Sequence, residues 1–517
     1  MTAAVTTSHR PLDGGKRRTP AVITLLVLAT FVVILNETIM LNAIPNLMNS
    51  FGVTEHAAQW VSTAFMLTMA SVIPVTGWFL QRVTTRTAYA TAMGVFIAGT
   101  VISAIAPVFG ILLAGRVIQA AGTAVMMPLL MTTLMTVVDE SDRGRVMGNV
   151  TMAISVAPAL GPTLSGLILG FGSWRLLFLL VLPIAVVVAW SGLQRLENVN
   201  EPAESTVDWA SVVIAALGFG SLVYGLSRFA EGEVGLPLVI AAVGAVLILG
   251  FVLRQLRLQR VGSPLLDLRA FLHSTFTKSL VLMAIAFLAM MGSMILLPLY
   301  LQTVRGLSPL YTGLLVMPGG LAMGLLGPTV GRIFDTYGGR VLVIPGSIGI
   351  VAALAGLAQI SLTTPYWLVL VLHLVLMVSL AAAFTPVFTL GLGSLPSHLY
   401  SHGSSILGTL QQVAAAFGTA LAVTVMSVRS DQVVEEVGAV AAQVSGLQAA
   451  FLVSAGLALI VVVMAILLPA RAEAHEATAE ETAEETAEAP AGEPAADLDA
   501  ELADLCEHGR EAAVCGC

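Results

Sequence analysis

The stretch that decides the fold is AVITLLVLATFVVILNETIMLNAI, residues 21–44, in which Glu37 is the one charged side chain. About 20 apolar residues in a helix cross the roughly 30 Å core of a bilayer, where lipid offers backbone groups no hydrogen-bond partner. Basic residues from Arg10 to Arg18 precede the run, as in a signal peptide, but the run is too long and lacks a small-residue cleavage site. It therefore predicts an uncleaved first membrane helix.

Similar apolar segments recur along the whole chain, and we count fourteen. Hydrophobic residues make up 57% of the 517 residues and charged residues only 10%, whereas soluble domains carry about a quarter charged residues. The fold class is therefore an all-α integral membrane protein. The predicted segments are 21–44, 57–80, 88–107, 110–137, 146–170, 175–193, 208–228, 234–254, 278–301, 310–333, 341–361, 366–392, 404–428 and 446–469.

Lysine and arginine are unevenly shared between the two sets of loops. With the N-terminus inside, 18 of the 23 basic residues fall on the inner side, four fall in outer loops, and Arg116 lies within a helix. Cytoplasmic loops retain positive charge. We therefore predict that both termini are cytoplasmic and that the protein lies in the cytoplasmic (plasma) membrane.

The last 47 residues differ from the rest, because residues 471–517 hold 14 of the 31 acids and two of the 23 bases. Such a segment lacks the apolar area to fold, and we predict a disordered acidic tail. Its thiols and His508 match no standard zinc-binding spacing, so we predict no metal site. No basic patch with interleaved aromatic residues indicates nucleic-acid binding.

An internal repeat relates helix 2 and its loop to helix 10 and its loop, with an offset of 254 residues throughout. The offset leaves six helices before two central helices and six after them. Parallel repeats are a known transporter architecture, with the substrate site between the halves. The matching positions are Pro74, Gly77, Gln81 and Arg86 with Pro328, Gly331, Asp335 and Arg340.

These patterns divide the chain into five regions. We predict a cytoplasmic N-terminal segment (1–19), an N-terminal six-helix bundle (20–195), two inserted helices (196–260), a C-terminal six-helix bundle (261–470) and the tail (471–517).

Three ionisable residues stand out because they lie well inside predicted membrane helices: Glu37, Arg116 and His373. A central charge costs roughly 2.5 to 3.5 kcal/mol on insertion scales, so each is a functional candidate. At 1.5 Å per residue, Glu37 and Arg116 lie at similar depth in the outer half and are able to pair. The alternatives are a fixed structural ion pair or a Glu37 that reaches the outer interface. For His373, the alternative is a neutral side chain bonded to a neighbouring backbone.

Arg116, Gln119 and Thr123 form one polar stripe, at positions i, i+3 and i+7 of helix 4. Such a stripe faces either a substrate path or a neighbouring helix, and the spacing alone leaves both open. With Asn36, His373 and Gln411, we expect Gln119 and Thr123 to line a substrate cavity.

Helix 5 contains SVAPALGPTLSGLILG, residues 155–170, with small residues at four-residue spacing. Small residues at this spacing let two helix backbones approach closely, and prolines bend a helix. The small residues are Ala157, Gly161 and Ser165, with Gly166 and Gly170 repeating the same spacing, and the prolines are Pro158 and Pro162.

Several of these segments resemble the fourteen-helix drug:proton antiporter branch of the major facilitator superfamily, over residues 20–470. LNETIMLNAIP (35–45) is similar to the helix 1 motif of that branch, with Asn36 at the position of the usual aspartate and Glu37 after it. We therefore assign the proton role to Glu37. LLAGRVIQAAGTA (112–124) resembles the helix 4 motif, which implies that Arg116 assists proton coupling.

Two further motifs concern gating and direction of transport. GWFLQRVTTR (77–86) resembles the gating loop motif with Gln81 in place of its aspartate, whereas the copy GRIFDTYGGR (331–340) keeps Asp335. APALGPTLSG (157–166) resembles the antiporter motif of exporters. The resemblance to these two motifs assigns the following residues to gating and antiport: Gly77, Arg82, Arg86, Ala157, Pro158, Gly161, Pro162, Gly166, Gly331, Asp335, Gly338 and Arg340.

The resemblance implies a secondary active exporter that exchanges small amphipathic compounds for protons and acts as a monomer in the lipid bilayer. One alternative is export of an endogenous metabolite, lipid or peptide, and another is a membrane scaffold that does not transport. No Walker, GxSxG or HExxH pattern is present, so we expect neither an enzyme nor a cofactor.

Overall fold

The structure, a computed structural model, describes residues 21–40, 43–170, 172–199, 202, 207–230, 235–260 and 264–469. Over these residues it contains α-helices and no strand, which confirms the predicted fold class. In chain order the helices are α1 (Ala21–Ile39), α2 (Ile44–Phe51), α3 (Glu55–Arg82), α4 (Thr85–Ala104), α5 (Phe109–Val137), α6 (Arg143–Leu169), α7 (Arg175–Arg195), α8 (Trp209–Ala230), α9 (Gly235–Leu258), α10 (Ser274–Leu299), α11 (Pro309–Tyr337), α12 (Arg340–Leu357), α13 (Tyr366–Gly393), α14 (Tyr400–Val437) and α15 (Ala439–Leu467).

Fourteen of these helices, all except α2, are long and apolar enough to cross a membrane, as predicted. The predicted N-terminal segment and acidic tail lie outside the described residues. The five-region division stays a prediction, although the helices on which it depends are present.

The first predicted segment is wrong at its end, because α1 ends at Ile39 and the short helix α2 begins at Ile44. Pro45 lies in the first turn of α2. Proline has no N–H to donate and its ring blocks a helix interior, so it is compatible with a helix start but not with continuation.

The predicted segment 404–428 is also too short, since α14 has 38 residues, or about 57 Å at 1.5 Å per residue. Apolar patterning marks only the part of a helix within lipid, whereas α14 continues through polar turns at both of its ends. Gly438, with φ of 80°, ends α14 immediately before α15 begins.

We call α1–α7 the first half of the bundle and α10–α15 the second half. In the first half α1 contacts α5, α6 and α7, and α4 contacts α5 and α7. In the second half α10, α14 and α15 contact one another, and α12 contacts α13 and α15.

Two seams join the halves. In one seam α6 packs along α11, where glycines from both helices meet; in the other, α3 and α5 pack against α14. A Cβ added to Gly148 would lie 2.2 Å from the carbonyl oxygen of Gly327, so the backbones of α6 and α11 approach too closely for any side chain.

The inserted helices α8 and α9 form a hairpin, of which α8 contacts both α3 and α14. Val223 of α8 packs with Ala70 and Ala416, one from each half. The hydroxyl of Ser71 on α3 donates a 3.1 Å hydrogen bond to the carbonyl of Ala216 on α8. α8 therefore fills part of the seam between α3 and α14.

The loops alternate between two ends of the bundle. We call the end with residues 83–84, 138–142, 338–339 and 394–399 the latch end, and the end with residues 105–108, 305–308 and 358–365 the far end.

Candidate functional site

Arg116 is the centre of a buried polar cluster formed by α1, α4 and α5. Its side chain is 1% exposed, and its Nη1 donates to Asn36 Oδ1 at 3.1 Å and to Gln119 Oε1 at 2.6 Å. Because Arg116 and Gln119 are three residues apart on α5, they lie on one face of that helix. Both acceptors are neutral, so the guanidinium keeps its positive charge uncompensated by these contacts.

Thr100 of α4 fixes the orientation of Gln119. Gln119 Nε2 donates to Thr100 Oγ1 at 2.8 Å, and that hydroxyl donates to the carbonyl of Phe96 at 2.7 Å. The Gln119 amide therefore has its oxygen towards Arg116 and its nitrogen towards Thr100. Sequence reasoning misses Thr100, although Gly99 is a signal: a Cβ at Gly99 would lie 2.4 Å from the backbone nitrogen of Gln119.

The α3 helix forms one wall of the cluster. The Arg116 guanidinium carbon lies 4.2 Å from the centroid of the Phe65 ring, and Nε donates to the carbonyl of Val61 at 3.4 Å. A cation over an aromatic face gains roughly 0.5 to 2 kcal/mol. Arg116 Nη2 has no hydrogen-bond partner within the part of the chain that the structure describes.

Glu37 does not form the direct pair with Arg116 that its depth allows. Asn36 makes that contact, and among the described residues no ion pair or hydrogen bond reaches the Glu37 carboxyl. Successive helix residues are about 100° apart, so adjacent side chains on α1 cannot both face Arg116. The two charges interact electrostatically without contact.

The α1 face that carries Glu37 is turned into the protein. Leu26, Thr30 and Val33 lie on the same face and are almost completely buried, and Glu37 itself is partly buried. This placement argues against the alternative in which Glu37 reaches the outer interface.

The other predicted cavity residues lie apart from the Arg116 cluster or bond within their own helix. Thr123 donates to the carbonyl of Gln119 at 3.0 Å. His373 of α13 is 1% exposed and lies against Gly319 of α11, near the backbone of Val316, although neither ring nitrogen makes a well-aligned hydrogen bond within the described residues. The buried Nε2 of Gln411 on α14 also has no partner in the part of the chain described.

At the latch end, Asp335 binds the first turn of α6 across the α6–α11 seam. Its Oδ1 accepts from the backbone N–H of Gly144 at 2.8 Å and its Oδ2 from that of Arg145 at 2.7 Å. A carboxylate at a helix N-terminus satisfies free N–H groups and interacts favourably with the helix dipole. A Cβ at Gly331 would lie 2.1 Å from the carbonyl oxygen of Gly144, so this contact requires glycine.

On the α3–α14 seam, the contact that corresponds by the repeat to that of Asp335 is made by the neutral side chain of Gln81. Gln81 Nε2 donates to the carbonyl of His398 at 2.9 Å. His398 stands 254 residues after Gly144, the same offset that relates Gln81 to Asp335. The structure therefore places the two repeat copies in equivalent positions. Nearby, Gly77 approaches the ring of His402 on α14.

A second set of contacts between the halves comes from hydroxyl groups that the sequence does not single out. Ser404 and Thr132 are 2.9 Å apart, Ser405 donates to the carbonyl of Ile73, and Thr385 donates to Thr151 at 2.9 Å. Serine and threonine in helices usually bond to their own backbone, so sequence gives no signal of these interhelical bonds.

The residues of the predicted antiporter motif on α6 have separate surroundings. Ala157 is buried, and a Cβ at Gly161 would lie 2.4 Å from the Thr38 hydroxyl, so this part of α6 packs on α1. The expected close packing at Gly166 is wrong, because a Cβ there would meet no atom within 4 Å. Pro158 lies within α6, and the side chain of Pro162 is outside the described part.

The remaining predicted gating residues lie at helix ends. Arg82 is in the last turn of α3, and the backbone N–H of Arg86 donates to Asn198 Oδ1 at 3.2 Å. Gly338, with φ of 83°, ends α11 in a conformation that favours glycine. Arg340 Nε donates to the carbonyl of Leu468 at 2.8 Å, which joins the start of α12 to the end of α15.

Known proteins resemble this chain in sequence and fold. The model of the Major Facilitator Superfamily matches residues 26–419. A Bacillus subtilis (strain 168) protein named uncharacterized MFS-type transporter YcnB is 38% identical over 443 residues, 85% of this chain and 93% of that protein. Lincomycin resistance protein LmrB of Listeria monocytogenes is 37% identical over 416 residues, 80% of this chain and 88% of that protein.

Among solved structures, the human organic anion transporter MFSD10 (TETRAN) superimposes with a TM-score of 0.63 at 16% sequence identity. The match covers 87% of this chain and 100% of that chain. At this identity the likeness shows the fold alone.

Proposed function

The chain belongs to the major facilitator superfamily of membrane transporters, and we propose that it exports small amphipathic compounds from the cytoplasm in exchange for protons. It is a multi-pass membrane protein of fourteen spanning helices and a transporter rather than an enzyme. Beyond membership of the family, we propose the coupled ion, the direction of transport and the chemical class of the cargo.

The observation that carries the proposal is the partly buried acid Glu37 near Arg116, a buried cation with neutral partners. A carboxylate locked in a close ion pair would resist protonation, since its partner strongly favours the charged form. Glu37 is not locked in this way, because among the described residues no ion pair or hydrogen bond joins its carboxyl to Arg116, which instead bonds to the neutral side chains of Asn36 and Gln119. Its carboxyl is therefore available to bind and release a proton.

Protonation of Glu37 would remove its attraction to Arg116 and change the relative stability of the two access states. A ligand shifts a conformational equilibrium only by its different affinity for the two states, and here the proton is that ligand. Glu37 lies on α1 between side chains that contact α5 and α6, both of which border the second half. This position supports coupling between the charge of Glu37 and the contact of the halves.

We infer that the latch end faces the cytoplasm, with both termini on that side, because most arginines lie there. With the latch end joined by Asp335, Gln81 and the hydroxyl contacts, access in this state would be from the far end. For the cargo we propose drug-like amphipathic compounds, by extension from the relative named for lincomycin resistance. The assembly proposed is a monomer.

The test is Glu37→Gln, measured by efflux of lincomycin and of a cationic dye from cells and by pH-driven uptake into inverted vesicles. We expect gradient-driven transport to be lost while the amount of protein in the membrane is unchanged. Glu435→Gln is the matched control, because Glu435 is an exposed acid near the end of α14. Retained pH-driven transport in Glu37→Gln would refute the proton role of this residue.

A further inference from the structure

The inserted hairpin is held together at the latch end by a network of polar side chains. Arg254 of α9 donates to Asp208, just before α8, at 2.7 and 2.8 Å. Gln255 Nε2 donates to Ser211 at 2.7 Å, while its Oε1 accepts from the backbone of Leu265. The end of α9 and the loop after it therefore have a defined position on α8, and Arg254 is neutralised by an acid.

The next three arginines along the chain are exposed and have no acidic partner within the described residues. Arg257 and Arg260 follow Arg254 at the end of α9, and Arg269 Nη2 donates to the carbonyl of Gln259 at 3.1 Å, which places its guanidinium beside them. The nearby acid Asp267 is buried and accepts instead from Gln259 at 2.8 Å and from the Arg269 backbone at 2.9 Å. Three positive charges thus lie around the end of α9, and no acid of the described residues is bonded to any of their guanidinium groups.

Large apolar side chains are exposed around these arginines. Along α9 the residues Val246, Leu249, Leu253 and Leu256 are exposed at helical spacing, and Arg260 continues the same line. Leu272, in the short helix Leu268–Leu272, is 83% exposed, and Trp209 at the start of α8 is 72% exposed. In a membrane protein such a line faces acyl chains, and tryptophan is enriched at the level of the headgroups. The arginines therefore lie where a helix leaves the hydrocarbon.

We propose that Arg257, Arg260 and Arg269 bind the phosphate of an anionic phospholipid whose acyl chains lie along α9. The guanidinium group has a planar set of donors that matches phosphate oxygens, and several arginines around one phosphate form charge-assisted hydrogen bonds. The apolar line along α9 distinguishes a lipid from a free phosphate, because only the lipid also covers Leu249, Leu253 and Leu256. The bound lipid would neutralise the cluster and hold α9 in place.

The experiment measures which lipid remains with the full-length protein when it is purified from nanodiscs that contain equal phosphatidylglycerol and phosphatidylcholine. Retained lipid is counted by native mass spectrometry. Each basic residue near an anionic surface contributes about fivefold to binding, so Arg257→Gln with Arg260→Gln should lower the phosphatidylglycerol preference by roughly 25-fold. The matched control is Arg195→Gln with Arg429→Gln, which removes two exposed arginines elsewhere on the protein.

Wild type and the control pair are expected to retain phosphatidylglycerol preferentially, and added inorganic phosphate at millimolar concentration should not displace it. An equal loss in both double variants would overturn the proposal, since it would reflect overall charge. Displacement by phosphate would also overturn it and identify a site for free anions. The readout is lipid binding, so the result does not depend on which cargo is transported.

Discussion

Thr100→Val is a sharp test of how the Arg116 cluster is organised. Valine has the branched shape of threonine but no hydroxyl, so Gln119 Nε2 loses its acceptor at 2.8 Å. Thr100 and Gln119 are both completely buried, and an unsatisfied buried donor costs about 1 to 3 kcal/mol. If the amide turns over to avoid that cost, its nitrogen faces the Arg116 guanidinium and the 2.6 Å bond is lost.

Either rearrangement disturbs Arg116, so we expect proton-driven transport to fall. A free-energy change of 1 to 3 kcal/mol corresponds to a factor of roughly 5 to 150. The assay is pH-driven uptake of lincomycin or dye into inverted vesicles, normalised to the amount of protein. Thr91→Val is the control on the same helix, because the Thr91 hydroxyl is exposed and donates to the carbonyl of Thr87 within α4. We expect its transport to stay within twofold of wild type.

A double variant separates this route from a general loss of packing. If Thr100 acts through Gln119, then Thr100→Val combined with Gln119→Leu should be no worse than Gln119→Leu alone, because the orphaned donor is absent. Additive losses in the double variant would refute the reasoning. Wild-type transport in Thr100→Val would refute it as well.

Three further predictions follow from other parts of the fold. Gly331→Ala should separate α11 from α6 and open the latch end, measured by thiol labelling of cysteines introduced there. Gly166→Ala is the control and should change little, since of these two positions Gly331 lacks room for a Cβ and Gly166 has it. The double variant Val223→Cys with Ala416→Cys can form a disulfide between α8 and α14 when the native cysteines are replaced by serine. We expect oxidation to stop transport and reduction to restore it, because α8 moves in the transport cycle. Full activity of the oxidised protein would exclude that movement. The hydrogen bonds from Arg254 lower the pKa of Asp208 from 3.8 to about 2, so their stabilisation is present above pH 3.8 and is lost as the pH falls through 2. Asp208→Asn should therefore lower the free energy of unfolding at pH 6 by no more than about 1 kcal/mol, seen as a slightly lower melting temperature, and should have no effect at pH 2. An equal effect at both pH values would contradict this assignment.

Sequence predicts those features of the fold that depend on composition over long stretches. The number of spanning helices and the 254-residue repeat follow from apolar runs and from Gly77 and Gly331 at matching positions. The stripe of Arg116 and Gln119 follows from helical spacing, and the structure brings both into one cluster. These features are local, so they do not require knowledge of which helices become neighbours.

The partners of buried side chains are not predictable in this way, because they depend on how each helix is rotated about its axis. Sequence places Glu37 and Asn36 at nearly the same depth, yet only Asn36 contacts Arg116. Thr100 reaches Gln119 because Gly99 lets α4 and α5 approach closely, a contact that is not visible in either helix alone.

The two seams between the halves differ in the strength of their latch contacts, and this difference indicates where opening begins. Asp335 carries a charge, accepts two backbone N–H groups and lies at the positive end of α6, whereas Gln81 is neutral and makes one bond to a carbonyl. Hydrogen bonds to charged groups contribute about 1.5 to 3 kcal/mol each, against about 1 kcal/mol for neutral ones. The α6–α11 seam also has glycine contacts along much of its length, while α8 fills part of the α3–α14 seam. Because Gln81 makes the weaker of the two latch contacts, we expect the latch end to open first at the α3–α14 seam, where the hydroxyl bonds of Ser404 and Ser405 must also break, with α6 and α11 acting as the hinge.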